Sequence, residues 1–175
     1  NKPRGIVCTE ERRERDSIVR FLNYPVRITY VGRLDKDSEG LLLMTNNGDI
    51  INRMMRAANK HEKEYKVTVD KPVTDEFLKE MAGGVPILDT VTRPCQVEKL
   101  GKYKFKIILT QGLNRQIRRM CEALGYEVKE LRRVRIMNIE LGNLKPGEYR
   151  KVTDQELNEL YELIRDSKSE PTPWN

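Results

Sequence analysis

Histidine is almost absent from this chain, which has His61 alone among 175 residues. That excludes a multi-histidine metal centre and leaves most Ser-His-Asp schemes without a base. Beside Glu62, His61 reads as a loop residue at a rim. Cysteine is sparse as well: Cys8, Cys95 and Cys121 lie far apart and no CxxC pair occurs. No zinc site of ordinary spacing can be drawn from them. An odd, scattered set reads as reduced thiols in a cytoplasmic protein. No apolar run approaches the ~20 residues of a membrane span, and no signal peptide opens the sequence. There is no internal repeat and no low-complexity segment.

What is present is charge. Charged residues make up 34% of the chain against 38% hydrophobic, and the net charge is +6. A positive field favours polyanions, so nucleic acid is the first partner to consider; a basic surface kept for solubility is the plain alternative. The length suits one domain with a real core. Residues 1–167 read as that domain and 168–175 as a polar tail. The opening Asn1-Lys2-Pro3 reads as a cut within a longer protein.

Val31 to Thr45 is the stretch around which the rest is organised. Ile28, Tyr30 and Val31 lead into a turn carrying Arg33, Asp35, Lys36, Asp37 and Glu39. Gly40 lets the backbone leave that turn. Leu41 to Met44 then read as a strand buried on both faces. A charged turn between rigid strands is a usual way to present a reactive side chain. The plain reading is that Asp35 and Ser38 only bond to the local backbone. A third reading has Asp35 and Asp37 sharing a Mg²⁺ in a phosphodiesterase, with no third ligand in view.

Along the chain, Gly5 to Cys8 is a short strand candidate, and Asp16 or Ser17 caps a helix through Leu22 that Pro25 stops. Asp49 to Ala58 reads as a helix with Ile51, Met54, Met55 and Ala58 on its core face. Tyr65 to Val69 alternates as a strand with Tyr65, Val67 and Val69 on one face. Thr74 opens a helix that Gly83-Gly84 ends. Val91 to Glu98 and Lys102 to Thr110 read as strands, and Arg115 to Leu124 as a helix. Glu127 to Leu141 is mostly strand, with Leu131, Val134, Ile136 and Ile139 as its apolar members. Thr153 to Glu156 is a capping-box pattern before a last helix. The fold class expected is α+β: a mixed, largely antiparallel central sheet with flanking helices.

In the helix after Gln111, the residues Ile117, Met120, Cys121 and Leu124 share the core face. Arg115 and Arg119 fall on the far side, and Arg118 lies about 110° from the core centre, at the edge of the buried stripe. Arg118 is thus the best placed of the three to reach a cleft. Three solvated arginines are the plain alternative. A second basic run, Arg132, Arg133 and Arg135, strengthens the case for a surface that meets nucleic acid.

Gly32-Arg33-Leu34-Asp35, Lys63-Glu64-Tyr65 and Arg115-Gln116-Ile117-Arg118-Arg119-Met120 stand in order along the chain, behind an opening Asn1-Lys2-Pro3-Arg4-Gly5. Together they resemble the motifs of pseudouridine synthases, in the branch acting on ribosomal RNA. The resemblance runs from about Asn1 to Ile164. It implies the pseudouridine synthase catalytic fold and isomerisation of uridine in RNA: the N-glycosidic bond breaks, the uracil rotates, and a C–C bond forms at C5. Asp35 is then the nucleophile or base, Arg118 the cation that favours its ionised state, and Tyr65 a ring stacked on the uracil. Leu131 matches the aliphatic residue under the base.

The same resemblance implies that Arg33, Leu34, Lys36, Asn114, Arg115, Arg119, Arg132 and Arg133 bind substrate, the arginines and Lys36 through phosphates. Reaching the base requires flipping it out, at a cost of a few kcal/mol. No metal or organic cofactor is implied. The partners expected are large-subunit ribosomal RNA, with transfer RNA as a further candidate, and no membrane; the protein is expected to be a monomer. Gly112-Leu113 departs from the Gly-Arg of most of the branch. A small S4-type RNA-binding domain usually precedes the catalytic domain in this branch, and this chain lacks one. A non-catalytic RNA-binding module is the rival reading.

Overall fold

The structure is a computed structural model and describes residues 1–56 and 61–165. In chain order the elements are α1 (Ile18–Leu22), β1 (Thr29–Val31), β2 (Glu39–Gly40), β3 (Leu43–Thr45), α2 (Gly48–Met55), β4 (Lys63–Val69), α3 (Asp75–Gly83), β5 (Pro86–Ile87), β6 (Thr90–Val91), β7 (Gln96–Gly101), β8 (Lys104–Leu109), α4 (Gln116–Ala123), β9 (Val128–Ile136), β10 (Ile139–Glu140) and α5 (Asp154–Ile164). They divide into two compact units. The first comprises 1–59 and 137–175, and the second 60–136. The tail expected over 168–175 and the end of the helix expected at Ala58 lie outside the described residues.

The second unit is a sheet in the order β9-β4-β8-β7, antiparallel throughout. Alternation produces it. Phe105, Ile107 and Leu109 of β8 are buried while their neighbours are not. Val67 and Val69 of β4 are buried beside them, with Tyr65 half-buried on the same face. The apolar stripes of α3 (Phe77, Met81) and α4 (Ile117, Met120, Cys121) complete that core. Thr74 caps α3 by accepting from Phe77 N at 3.1 Å, which satisfies one of the orphan amides at its start. The opposite face of the sheet is polar, as expected for an antiparallel sheet with one wet side. The expected strand from Val91 to Glu98 divides into β6 and β7.

In the first unit, β1 and β3 pair antiparallel with Val31 opposite Leu43. Leu41 and Leu43 are buried whereas Leu42 and Met44 are only half-buried. The run 41–44 is therefore alternating, not buried on both faces. The expected strand over Gly5–Cys8 is reduced to isolated bridges, Lys2 to Gly40 and Val7 to Ser17. Ser17, not Asp16, caps α1. The core face of α2 is Ile50 and Met54, and Met55 is exposed. Asn47 caps that helix, accepting from Asp49 N and Ile50 N. The capping box of α5 forms as the sequence predicts. Among the described residues no helix is long and apolar enough to cross a membrane.

Candidate active site

Asp35 belongs to the first unit with Arg33, Leu34 and Lys36; Tyr65, Asn114, Arg115, Arg118, Arg119, Leu131, Arg132 and Arg133 belong to the second.

The Asp35 loop is held by the residues that open the chain. Lys2 N donates to Gly40 O at 2.7 Å and Gly40 N returns a bond to Lys2 O at 3.0 Å. Gly5 N donates to Lys36 O at 2.7 Å, and Leu34 N donates to the Cys8 thiol at 3.4 Å. The loop is thus pinned at Leu34, Lys36 and Gly40, on both sides of Asp35. Gly40 has φ +114°, a backbone that L side chains rarely adopt, so the exit from the loop requires glycine. Asp35 O accepts from Ser38 N at 3.0 Å, closing a turn. The turn-former reading therefore holds for the backbone, and Asp35 itself is half-buried.

Lys2 escaped the sequence reading. Its side chain is 2% exposed, and Nζ donates to Pro3 O at 2.9 Å and Ile6 O at 2.7 Å. Burial lowers its pKa, and the negative field of Cys8, Asp35, Asp37 and Glu39 opposes that. A cation thus lies under an acidic loop. No sequence period marks it; the only signal was its place in the opening motif. Arg33 is exposed, its guanidinium 5.7 Å from the centre of the Tyr30 ring, and Lys36 is exposed. Leu34 is buried inside the unit. Its side chain anchors the loop from within.

In the second unit, Tyr65 stands opposite Ile107 on β8 and Arg133 on β9. Leu131 stands opposite Val67, on the same face. Arg133 is 3% exposed and Arg132 is exposed. The two neighbours therefore point to opposite faces of the strand, and of the two only Arg132 is on the surface. Alternation from the inward Leu131 places Arg133 on the inner face opposite Tyr65, and the register shift between Glu64 and Tyr65 then skips Val134. Arg135 is held by Glu62 at 3.1 Å and Glu64 at 3.3 Å, which cancels its charge locally. Lys63, also in this group, is pushed down to about 8 by burial and then by the nearby Arg133 charge. His61 is buried, in contrast to the rim position expected.

Arg118 is buried at 8% on α4, inside the edge position that helical spacing gave it. Arg119 folds back on Asn114: its Nε donates to Asn114 O at 3.0 Å and its Nη2 to Asn114 Oδ1 at 2.9 Å. Arg115 is exposed at the N-cap, with φ +48°. The buried Gln116 orders the loop before the helix, accepting from Leu113 N at 3.1 Å and donating to Gln111 at 3.2 Å. Leu113, the departing residue, packs against the core of this unit.

Burial raises the Cys121 thiol to about 12 and the Cys95 thiol to about 11, so neither is a nucleophile at neutral pH. Among the described residues no group of three or more His, Cys, Asp or Glu gathers that could hold a metal ion. The two-aspartate phosphodiesterase reading therefore has no donor set there.

Residues 1–123 match the family described as RNA pseudouridylate synthase. The chain is 58% identical over 173 residues to the dual-specificity RNA pseudouridine synthase RluF of Escherichia coli K12, covering 99% of this chain and 60% of that protein. It spans the same 60% of the Shigella flexneri counterpart. It is 36% identical over 162 residues to ribosomal small subunit pseudouridine synthase A of Yersinia pestis, covering 69% of that protein. A solved pseudouridylate synthase superposes with a TM-score of 0.85 at 33% identity, covering 91% of this chain and 71% of that one. The archaeal box H/ACA Nop10–Cbf5 complex superposes at 0.56 and 21% identity, which bears on the fold alone.

Proposed function

As the chain belongs to the RNA pseudouridylate synthase family, we propose that it isomerises uridine to pseudouridine in RNA, with large-subunit ribosomal RNA as its substrate. The observation that carries the reading is the Asp35 loop, pinned at three points and backed by a buried lysine, in a chain of this family. Catalysis needs a reacting group held within a fraction of an ångström of its working position, and such bracing supplies that. Asp35 starts cleavage of the glycosidic bond. Tyr65 stacks on the uracil: a flat ring holds a loosened base without fixing its in-plane orientation, which suits a base that must turn over. Arg118, carried on the second unit, is the third residue assigned to the reaction, from its place in the motif order.

The target nucleotide leaves its stack to react, and exposed cations such as Arg33, Lys36, Arg115 and Arg132 offset that cost at the phosphates. The protein acts as a cytoplasmic monomer. The dual specificity in the names of its relatives supports a second RNA class, transfer RNA, in the assay.

The test is tritium release from [5-³H]uridine in ribosomal RNA of cells lacking the enzyme. The wild type should release tritium, and Asp35→Asn should reduce the rate at least ~10³-fold with RNA affinity within a few-fold. Release that survives in Asp35→Asn removes the assigned role. RNA binding with no release by the wild type points instead to a binding module.

A further inference from the structure

The first unit carries a feature that the reaction leaves unused. Aromatic residues are few in this chain, yet several stand on its surface together. Phe21 is 44% exposed and Tyr149 58%. Tyr149 meets Tyr24 edge to face, with centroids 5.7 Å apart at 73°. Phe21 lies against Gly147, where a Cβ would come within 3.3 Å of its ring and where φ is +86°. Glycine there allows the turn and the close approach together.

Behind the tyrosines is a cavity of about 310 Å³, confined to this unit. That is the lower end of ligand-site volumes, ~300–1,000 Å³. Its walls are aliphatic, from Leu22, Val31, Leu43, Met54 and Leu160, and Tyr24 and Tyr149 line it too. Arg150 and Lys151 also line it. Arg150 is held by Glu156 through bonds of 2.7 and 2.8 Å. The two segments that carry the aromatics hold further exposed cations, Arg20 and Arg27 on one, Lys145 and Lys151 on the other, against a single acid, Glu148.

Exposed rings interleaved with cations are the chemistry of a single-stranded nucleic-acid surface. The rings stack on bases of any identity and the cations track the backbone. The walls are mainly apolar, with Tyr24, Tyr149, Arg150 and Lys151 supplying polar groups, so such a contact holds a base chiefly by stacking. Resting on the RNA reading above, we propose that Tyr149, Tyr24 and the cavity behind them form a second RNA contact, which takes an unstacked nucleobase of the bound strand other than the target uridine. The charge of the two segments selects RNA over an apolar protein partner.

The experiment compares wild type, Tyr149→Ala, Tyr149→Leu and Tyr149→Phe on one ribosomal RNA fragment, by filter binding and by tritium release. A stacking contact predicts that Ala and Leu weaken binding and raise KM between about five- and a hundredfold. The loss should fall on KM more than on kcat, and Phe should stay within about twofold of wild type. Crosslinking from 5-iodouridine should map to Tyr149. Unchanged affinity in Ala overturns the proposal. So does Leu behaving like wild type, which marks a plain apolar contact, or Phe failing like Ala, which marks the hydroxyl. Loss of self-association in Ala, with RNA binding intact, assigns the surface to a second copy of the chain. Because affinity is read apart from turnover, a wild type that binds RNA without isomerising it defeats the functional reading alone.

Discussion

Arg132 and Arg133 are adjacent in sequence, yet they face different worlds. Arg132 is exposed and stands opposite Lys66, so like charges sit directly across the strands, a pairing that is unfavourable unless an anion bridges it. Arg132→Ser should therefore leave the melting temperature within a degree or two and lower the slope of log affinity against log salt by about 1. Arg133 is buried beside Tyr65. Arg133→Ala should cost about 3 kcal/mol or more, seen as a melting point lower by several degrees.

Lys63 gives a pH test. Its folded pKa of about 8 is below the unfolded 10.5. Between those values the unfolded chain holds the extra proton, so this residue makes stability rise with pH across that window, and its destabilising effect is complete below about 8. Lys63→Met should melt higher than wild type at pH 7, by roughly 2–4 °C if about 1 kcal/mol survives solvent screening. The gain should shrink above pH 8 and vanish near 10.5. A gain constant across that range would show that titration is not its cause.

At the scale of elements, sequence periodicity carried far. The alternation of Tyr65, Val67 and Val69, the stripe of α4 and the capping box of α5 all form as read. Each rests on local spacing, which the chain carries openly. The failures have non-local causes. The bulge opposite Glu64 and Tyr65 takes Val134 out of the register and breaks the period of β9 between Arg133 and Arg135. The burial of Lys2 depends on a partner strand nearly forty residues away, at Gly40. For the candidate site, Asp35, Tyr65 and Arg118 are proposed from motif order, whereas the bracing around Asp35 is seen only in the fold.

The β5–β6 hairpin offers an engineering test at this scale. Its two turn residues, Leu88 and Asp89, have φ of +47° and +59°. Both are left-handed, as a type I′ turn demands, but neither is the Asn-Gly pair that adopts this turn most readily. The double change Leu88→Asn, Asp89→Gly should raise stability by about 1 kcal/mol in a thermal melt. No gain would mean that Leu88, exposed though it is, contributes as much by contact as its backbone costs.

For the whole molecule, the distribution of charge matters more than the total of +6. Arg135 is cancelled by two glutamates, Arg150 by Glu156, and Lys106 is paired with Glu98 at 2.8 Å. The field at the surface comes from the remaining exposed cations, which is what the proposed RNA substrate would meet. Composition counts every charge alike, so a net value could not show this.

The first unit is built from the two outer stretches of the sequence, and the second from the unbroken stretch between them. Asn1 Nδ2 donates to Leu144 O at 2.8 Å, and Gly147 N to Asn1 O at 2.7 Å, so the first unit closes across almost the whole chain. A ribosome delivers those pieces far apart in time. The second unit can gather its core as soon as residue 136 emerges, whereas the strap over Asp35 waits for the closing stretch. Pulsed hydrogen exchange during refolding should accordingly protect the amides of β4 and β8 before those of Lys2 and Gly40. The bracing of the Asp35 loop would then be among the last parts of the protein to form.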